Sequence, residues 1–77
     1  MILIKHKVTG VVLAELGGHS LAGEDLRDMD LAGADLSGQD LSGANLEYSD
    51  LTETDFSGAH LYGANLVAAH LMGDEFI

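Results

Sequence analysis

At 77 residues the chain is at most one domain, near the size at which a single core is marginal. It contains neither cysteine nor proline, which excludes disulfides and thiolate metal sites and leaves stiffness to backbone pairing. The formal charge is −10 against only Lys5, Lys7 and Arg27, which argues against direct nucleic-acid binding and favours solubility and basic partners.

In chain order, Ile2–Lys7 and Val11–Leu16 flank Thr9-Gly10 and read as a short β-hairpin. The apolar runs Met1–Ile4 and Val11–Ala14 are too short for a secretory signal and are separated by Lys5, His6 and Lys7. No stretch approaches the length of a membrane span, so a cytoplasmic protein without membrane contact is expected. Gly17-Gly18 then leads into a different kind of sequence. Residues 1–18 are expected to form an N-terminal β cap, and residues 19–77 the body it covers.

In that body a large apolar residue recurs at every fifth position: Leu21, Leu26, Leu31, Leu36, Leu41, Leu46, Leu51, Phe56, Leu61, Leu66, Leu71 and Phe76. Five residues advance an α-helix by about 500°, which scatters such side chains around the cylinder. In an extended strand an odd spacing sends successive ones to opposite faces. A core forms only if the chain turns once per repeat, always in the same sense. Glycine is frequent two residues after each centre, where a corner needs positive φ. Small residues such as Ala34, Ala44, Ser49 and Thr54 stand two before it, as a narrow interior requires.

The units ADLSG, ANLEY, ANLVA and TDFSG resemble those of the pentapeptide-repeat family, whose pattern is roughly A(D/N)LXX. The resemblance runs from about Ser20 to the C-terminus. It implies an all-β fold, a right-handed quadrilateral β-helix (solenoid) of about three coils, with four pentapeptides per square coil. The central residue and the small residue two before it then point inward. Departures at that small position are His19, Glu24, Met29, Gln39 and Asp74. A buried carboxylate needs a partner, so Glu24 and Asp74 are expected near open ends or bonded to backbone. Gln39 must find backbone partners inside or distort the coil.

In such a coil, residues twenty apart are neighbours at about 4.8 Å. Leu36, Phe56 and Phe76 then share an inner column, and Arg27 lies outside beside Glu47. Just before the centres run the columns Ser20/Asp40/His60, Asp25/Asn45/Asn65, Asp30/Asp50/His70 and Asp35/Asp55/Glu75. The first contains the residue types of a hydrolytic triad, but the acid would sit between nucleophile and base, whereas the base must bridge the other two. A convex face also lacks an oxyanion hole. No catalytic residue, metal or cofactor is assigned. His60 and His70 fall on opposite faces, and the carboxylates of the last two columns read as a solvated face rather than a Ca²⁺ cage.

The N-terminal hairpin is the obvious cover for the first coil, since a solenoid end exposes its lumen and unpaired backbone. The final coil has no such device, and Leu61, Leu66, Leu71, Phe76 and Ile77 are the candidate self-association end. Homo-oligomerisation through that coil is expected. The outward Asp25, Asp30, Asp35, Asp40, Asp50, Asp55 and Glu75 are the candidate acidic interaction surface. Displayed Tyr48, Tyr62, Val67 and Met72 are less usual on a polar scaffold. The sequence thus points to a non-enzymatic structural or protein-interaction module. The alternative that the resemblance implies is a DNA-mimicking inhibitor or protector of a bacterial type II topoisomerase, gyrase, or more generally an acidic ligand for a basic protein.

Overall fold

The computed structural model describes residues 1–76. Strand β1 (Ile2–His6) pairs antiparallel with β2 (Val12–Leu16), Ile2 opposite Leu16 and Ile4 opposite Ala14, with a bulge between Ile4 and Lys5. These bounds match the expected hairpin to within one residue. The turn is closed by the His6 N–H to the Val11 carbonyl at 2.8 Å and the Gly10 N–H to the His6 carbonyl at 3.0 Å. His6 also clamps it through Nδ1, which accepts from the Val8 and Thr9 N–H groups at 3.1 and 3.3 Å.

Beyond Gly18 every repeat is a corner. In most repeats the carbonyl of the central residue accepts the N–H three residues on, as at Leu31–Ala34 and Leu41–Ala44, both 3.0 Å, whereas at Leu26 the Met29 N–H goes to Ser49 Oγ. The residue two after the centre has positive φ throughout, for example +72° at Gly33 and +62° at Tyr48. That combination is the signature of a type II turn. One turn per five residues leaves room for a single ladder rung between corners. The rungs are parallel and offset by twenty residues: Asp25–Asn45–Asn65, Asp30–Asp50–His70, Asp35–Asp55–Glu75 and Asp40–His60. Four such columns make a four-sided coil, with successive turns at residues 17–36, 37–56 and 57–76. Strand β3 (Ala34–Asp35) belongs to the first turn, and β1 runs antiparallel beside it, Lys5 opposite Asp35 and His6 opposite Ala34. The sheet order is therefore β2-β1-β3.

The period of five places the core. Leu21, Leu26, Leu31, Leu36, Leu41, Leu46, Leu51 and Phe56 are buried, together with Ile4 of β1 and the small Ala34 and Ala44. A fully buried leucine contributes about 1.5–3 kcal/mol. Ser49 and Thr54 are buried polar residues in the same lumen, and their hydroxyls donate to the carbonyls of Leu26 and Leu31. In the turn 57–76, Leu61, Leu66 and Leu71 are only partly buried. Phe76 stacks on Phe56 with ring centroids 5.3 Å apart and planes within 5°, so the expected aromatic column is present.

One expectation about an individual residue is corrected. Gln39 neither finds partners inside nor distorts the coil. Its N–H still reaches the Leu36 carbonyl at 3.2 Å and its own carbonyl accepts from His60 at 2.9 Å, as in a regular repeat. Its side chain is half-exposed, because the rung above is missing: Ser20 and Asp40 form no bridge where the chain arrives from β2. The described residues have nearly equal extents of 28 × 27 × 23 Å. Of the two inward carboxylates, Glu24 is half-exposed, while Asp74 accepts the Thr54 N–H at 2.8 Å.

Candidate interaction surfaces

The acidic residues are first of all corner clamps. An Asp or Asn just before the central residue accepts, through its side chain, the N–H two positions on, the Asx-turn pattern. Asp35 does so from Ser37 at 3.0 Å, Asp40 from Ser42 at 3.0 Å, Asp50 from Thr52 at 3.0 Å and Asp55 from Ser57 at 2.9 Å. Asp25 and the longer Asp30 contact follow the same pattern, as do Asn45 and Asn65. The hydroxyls of Ser37 and Thr52 add bonds of 2.6 Å to Asp35 and Asp50. Such donors stabilise the ionised form. The side chains of Ser42, Thr52 and Ser57, followed by their backbone N–H groups, hold Asp40, Asp50 and Asp55 below the ordinary carboxylate value. Asp at this position therefore needs no binding role to explain it. The sequence carried the signal, a short polar side chain fixed before every turn, but a reading by columns looks across the coils and misses it.

Charges pair differently from the expectation. Arg27 does not pair with Glu47 but folds back on Asp25 of its own corner, bidentate at 2.9 and 3.0 Å. The guanidinium bond holds the Asp25 carboxyl low. The near residue wins because a two-residue separation places the fork on the carboxylate already fixed by the turn. Lys7, beyond β1, reaches down the Asp35/Asp55/Glu75 column to Glu75, Nζ to Oε1 3.1 Å. One of the two like-charge columns therefore has a cation on it.

The turn 57–76 is different in kind. The outward position after each centre holds Ala22, Arg27 and Ala32 in the turn 17–36, Ser37, Ser42, Glu47 and Thr52 in the turn 37–56, and first Ser57 in the turn 57–76. After Ser57 the third turn holds Tyr62, Val67 and Met72 there, which are 89%, 59% and 83% exposed. Ile77, the next in this series and part of the expected self-association end, lies outside the described residues. Acid is unevenly spread as well. Residues 17–36 carry Glu24, Asp25, Asp28, Asp30 and Asp35, and residues 37–56 carry Asp40, Glu47, Asp50, Glu53 and Asp55. Residues 57–76 carry only Asp74 and Glu75. The N–H groups of Leu26 and Leu46 donate to Asn45 and Asn65 one coil on, whereas those of Leu61, Leu66 and Leu71 have no such partner among the described residues. Among the described residues, this turn therefore combines partly buried leucines, ladder donors without a partner and an apolar outer rim.

On the other faces the residues of the triad-like column are engaged locally. Ser20 Oγ accepts its own Ala22 N–H at 3.1 Å, Asp40 is held by Ser42, and Ser20 does not pair with Asp40. Among the described residues there is no pocket, no cluster of three or more metal-ligating side chains, and no helix long and apolar enough to cross a membrane.

The family model for pentapeptide repeats matches residues 14–47 and 40–73, in 8 copies. The similar solved structures include two pentapeptide repeat proteins. The crystal structure of Rfr23, a pentapeptide repeat protein from the cyanobacterium Cyanothece 51142, is 40% identical over 75% of this chain and 40% of that chain, with a TM-score of 0.74. HetL, a pentapeptide repeat protein involved in heterocyst differentiation regulation from the cyanobacterium Nostoc sp. strain PCC 7120, is 39% identical over 77% of this chain and 28% of that chain, with a TM-score of 0.69. The present chain thus spans less than half the length of either. No curated protein matches it. With these relatives, the four-sided coil described above is a right-handed quadrilateral β-helix.

Proposed function

Because the chain belongs to the pentapeptide-repeat family, we propose that it works as a non-enzymatic interaction module that associates through the turn 57–76, and that its first partner there is a second copy of itself. The observation that carries this reading is the switch at the outward positions from Ser42, Glu47 and Thr52 to Tyr62, Val67 and Met72. Aromatic and methionine side chains with few charges are the composition of an interface core. The near absence of acid on this turn lets two chains of charge −10 approach there with little local repulsion. A symmetric, face-to-face contact is favoured over head-to-tail stacking, because the hairpin occupies the opposite end. In this reading residues 1–18 serve as the cap of the solenoid. The lack of cysteine suits a reducing, cytoplasmic setting.

The second reading is an acidic ligand for a basic protein, with DNA mimicry of a gyrase substrate as its sharpest form. The net charge and the exposed Asp25, Asp30, Asp35 and Asp40 favour it. Three things weigh against the mimic. The carboxylates are engaged by their own corners, Lys7 neutralises part of one column, and the longest extent of 28 Å falls short of one DNA turn of about 34 Å. Joining two copies at the turn 57–76 lengthens the body but leaves about 15 Å of acid-poor centre, whereas duplex DNA carries a charge every ~1.7 Å.

Light scattering in line with size exclusion, on the wild type and on Phe76→Glu, separates the readings. A wild-type dimer that becomes a monomer on substitution supports the self-association module. A wild-type monomer at tens of micromolar overturns it, and inhibition of gyrase supercoiling by that monomer would establish the second reading instead.

A further inference from the structure

Two inward polar residues of the β-helix, Ser49 and Thr54, share a bonding pattern that Asp74 does not match. At Ser49 and Thr54 the hydroxyl donates to a carbonyl twenty-three residues earlier, Leu26 and Leu31, the latter at 3.0 Å. By the same register the acceptor facing residue 74 is the Leu51 carbonyl. Asp74 Oδ1 takes the Thr54 N–H at 2.8 Å, just as Ser49 Oγ takes the Met29 N–H at 3.3 Å. Its Oδ2 is buried and has no partner among the described residues. A carboxylate accepts only, so when ionised it cannot supply the donor that Ser49 and Thr54 supply. A neutral carboxylic acid can, with Oδ1 still accepting and Oδ2–H donating.

We propose that Asp74 is a proton gate on the association face: with Asp74 neutral, Oδ2–H bonds the Leu51 carbonyl and the turn 57–76 closes as a dry surface for a second copy, and with Asp74 ionised the face keeps a charge that association would have to desolvate. This rests on the self-association reading above. The surroundings favour the neutral form. Burial is the main cause raising the Asp74 carboxyl above its ordinary value, and the nearby Asp50 charge adds to it. The Thr54 N–H bond and Lys7 act in the opposite sense, but Lys7 is engaged by Glu75. Glu53 packs against Gly73, one residue before, and brings a further negative charge to this corner. Burying an unpaired carboxylate between two apolar rings is costly, and its protonation removes that cost.

The test compares dimer dissociation constants by sedimentation equilibrium at about pH 5 and about pH 7.5 for the wild type, Asp74→Asn and Asp74→Thr, a tenfold change corresponding to one unit of differential proton affinity. The wild type should associate about tenfold or more tightly at the lower pH. Asp74→Asn, which keeps an acceptor for Thr54 and gains a donor for Leu51, should match the tight form at both values, and Asp74→Thr should do the same. His60, His70 and the other titratable groups are retained in these variants, so the gate is read from the difference in pH dependence between the wild type and the variants. A wild type that dimerises equally at both values overturns the gate and leaves self-association standing. Monomers at both values, in all three proteins, overturn both. Carboxyl ¹³C titration of the wild type gives an independent reading: Asp74 must titrate above the other aspartates, and a midpoint among theirs contradicts the proposal.

Discussion

Lys7 and Glu75 stand 68 residues apart in the chain and meet at 3.1 Å, so the residue following the first strand is tied to the last turn of the coil. The side chains are 23% and 57% exposed, which keeps the pair's value modest. Its wider effect is to place a cation on the column where Asp55 and Glu75 are adjacent rungs. Lys7→Glu should therefore lose about 1 kcal/mol of stability at low salt, more than Lys7→Gln, and most of the difference should vanish in high salt. Urea titrations at two ionic strengths measure it. A loss that does not respond to salt would mean that the Lys7 stem, not its charge, matters.

His6 makes one glycine irreplaceable. A Cβ on Gly33 would collide with the His6 imidazole, whereas one on Gly43 would meet nothing within 4 Å, although the two share nearly the same φ, +72° and +69°. Gly43→Ala should cost about 1–2 kcal/mol, the ordinary penalty of a side chain at left-handed φ. Gly33→Ala should cost clearly more and should loosen the β1–β3 contact. In the double variant with His6→Ala the excess should largely disappear, a coupling that thermal melts of all four proteins can read.

One corner runs the other way. Asp28, Tyr48 and Ala68 form a whole column of non-glycine residues at φ of 57°, 62° and 58°. Ala68→Gly should stabilise the protein by up to about 1 kcal/mol, since the steric strain relieved outweighs the added freedom of the unfolded chain. A loss of stability on this substitution would show that the Ala68 methyl packs usefully.

The carboxylates predict an unusual acid profile. Asp25, Asp40, Asp50 and Asp55 are held low in the folded state, so their contribution is present above the unfolded value and is lost as pH falls through the folded ones. Asp74 is held high, so its contribution is full below the unfolded value and is lost as pH rises through the folded one. Lowering the pH from neutral should first raise stability, as Asp74 takes its proton, and then lower it as the corner aspartates are neutralised. Asp74→Asn should gain about 1–2 kcal/mol at neutral pH, the cost of a buried acceptor without a donor, and should flatten the rising limb. Chemical denaturation across the acid range follows both limbs. A variant with an unchanged rising limb would assign it to the general relief of charge repulsion.

The parts legible in the sequence were those that repeat. Twelve centres from Leu21 to Phe76 specified a turn every five residues, and the glycines marked where φ turns positive. The stacking of Phe76 on Phe56 followed from a separation of twenty. The parts that stayed hidden depend on events that occur once. Docking of β1 beside Ala34–Asp35, and with it the Lys7–Glu75 contact, is set by how the hairpin lands, and no period encodes that. Arg27 could reach either Glu47 or Asp25, and only the geometry of the corner decides between them. Gln39 occupies an inward position of the repeat, and only the missing Ser20–Asp40 rung leaves its side chain half-exposed. Asp74 was legible as an oddity, but its orphaned Oδ2 appears only when the donors around it are counted.

The central claim, association through the turn 57–76, is tested most directly by giving that turn the outward residues of the turn before it: Tyr62→Ser, Val67→Glu and Met72→Thr together, as at Ser42, Glu47 and Thr52. These positions point to solvent, so the fold and its circular dichroism should persist. Light scattering should then find a dimeric wild type and a monomeric, folded variant. A variant that stays as dimeric as the wild type would contradict the claim.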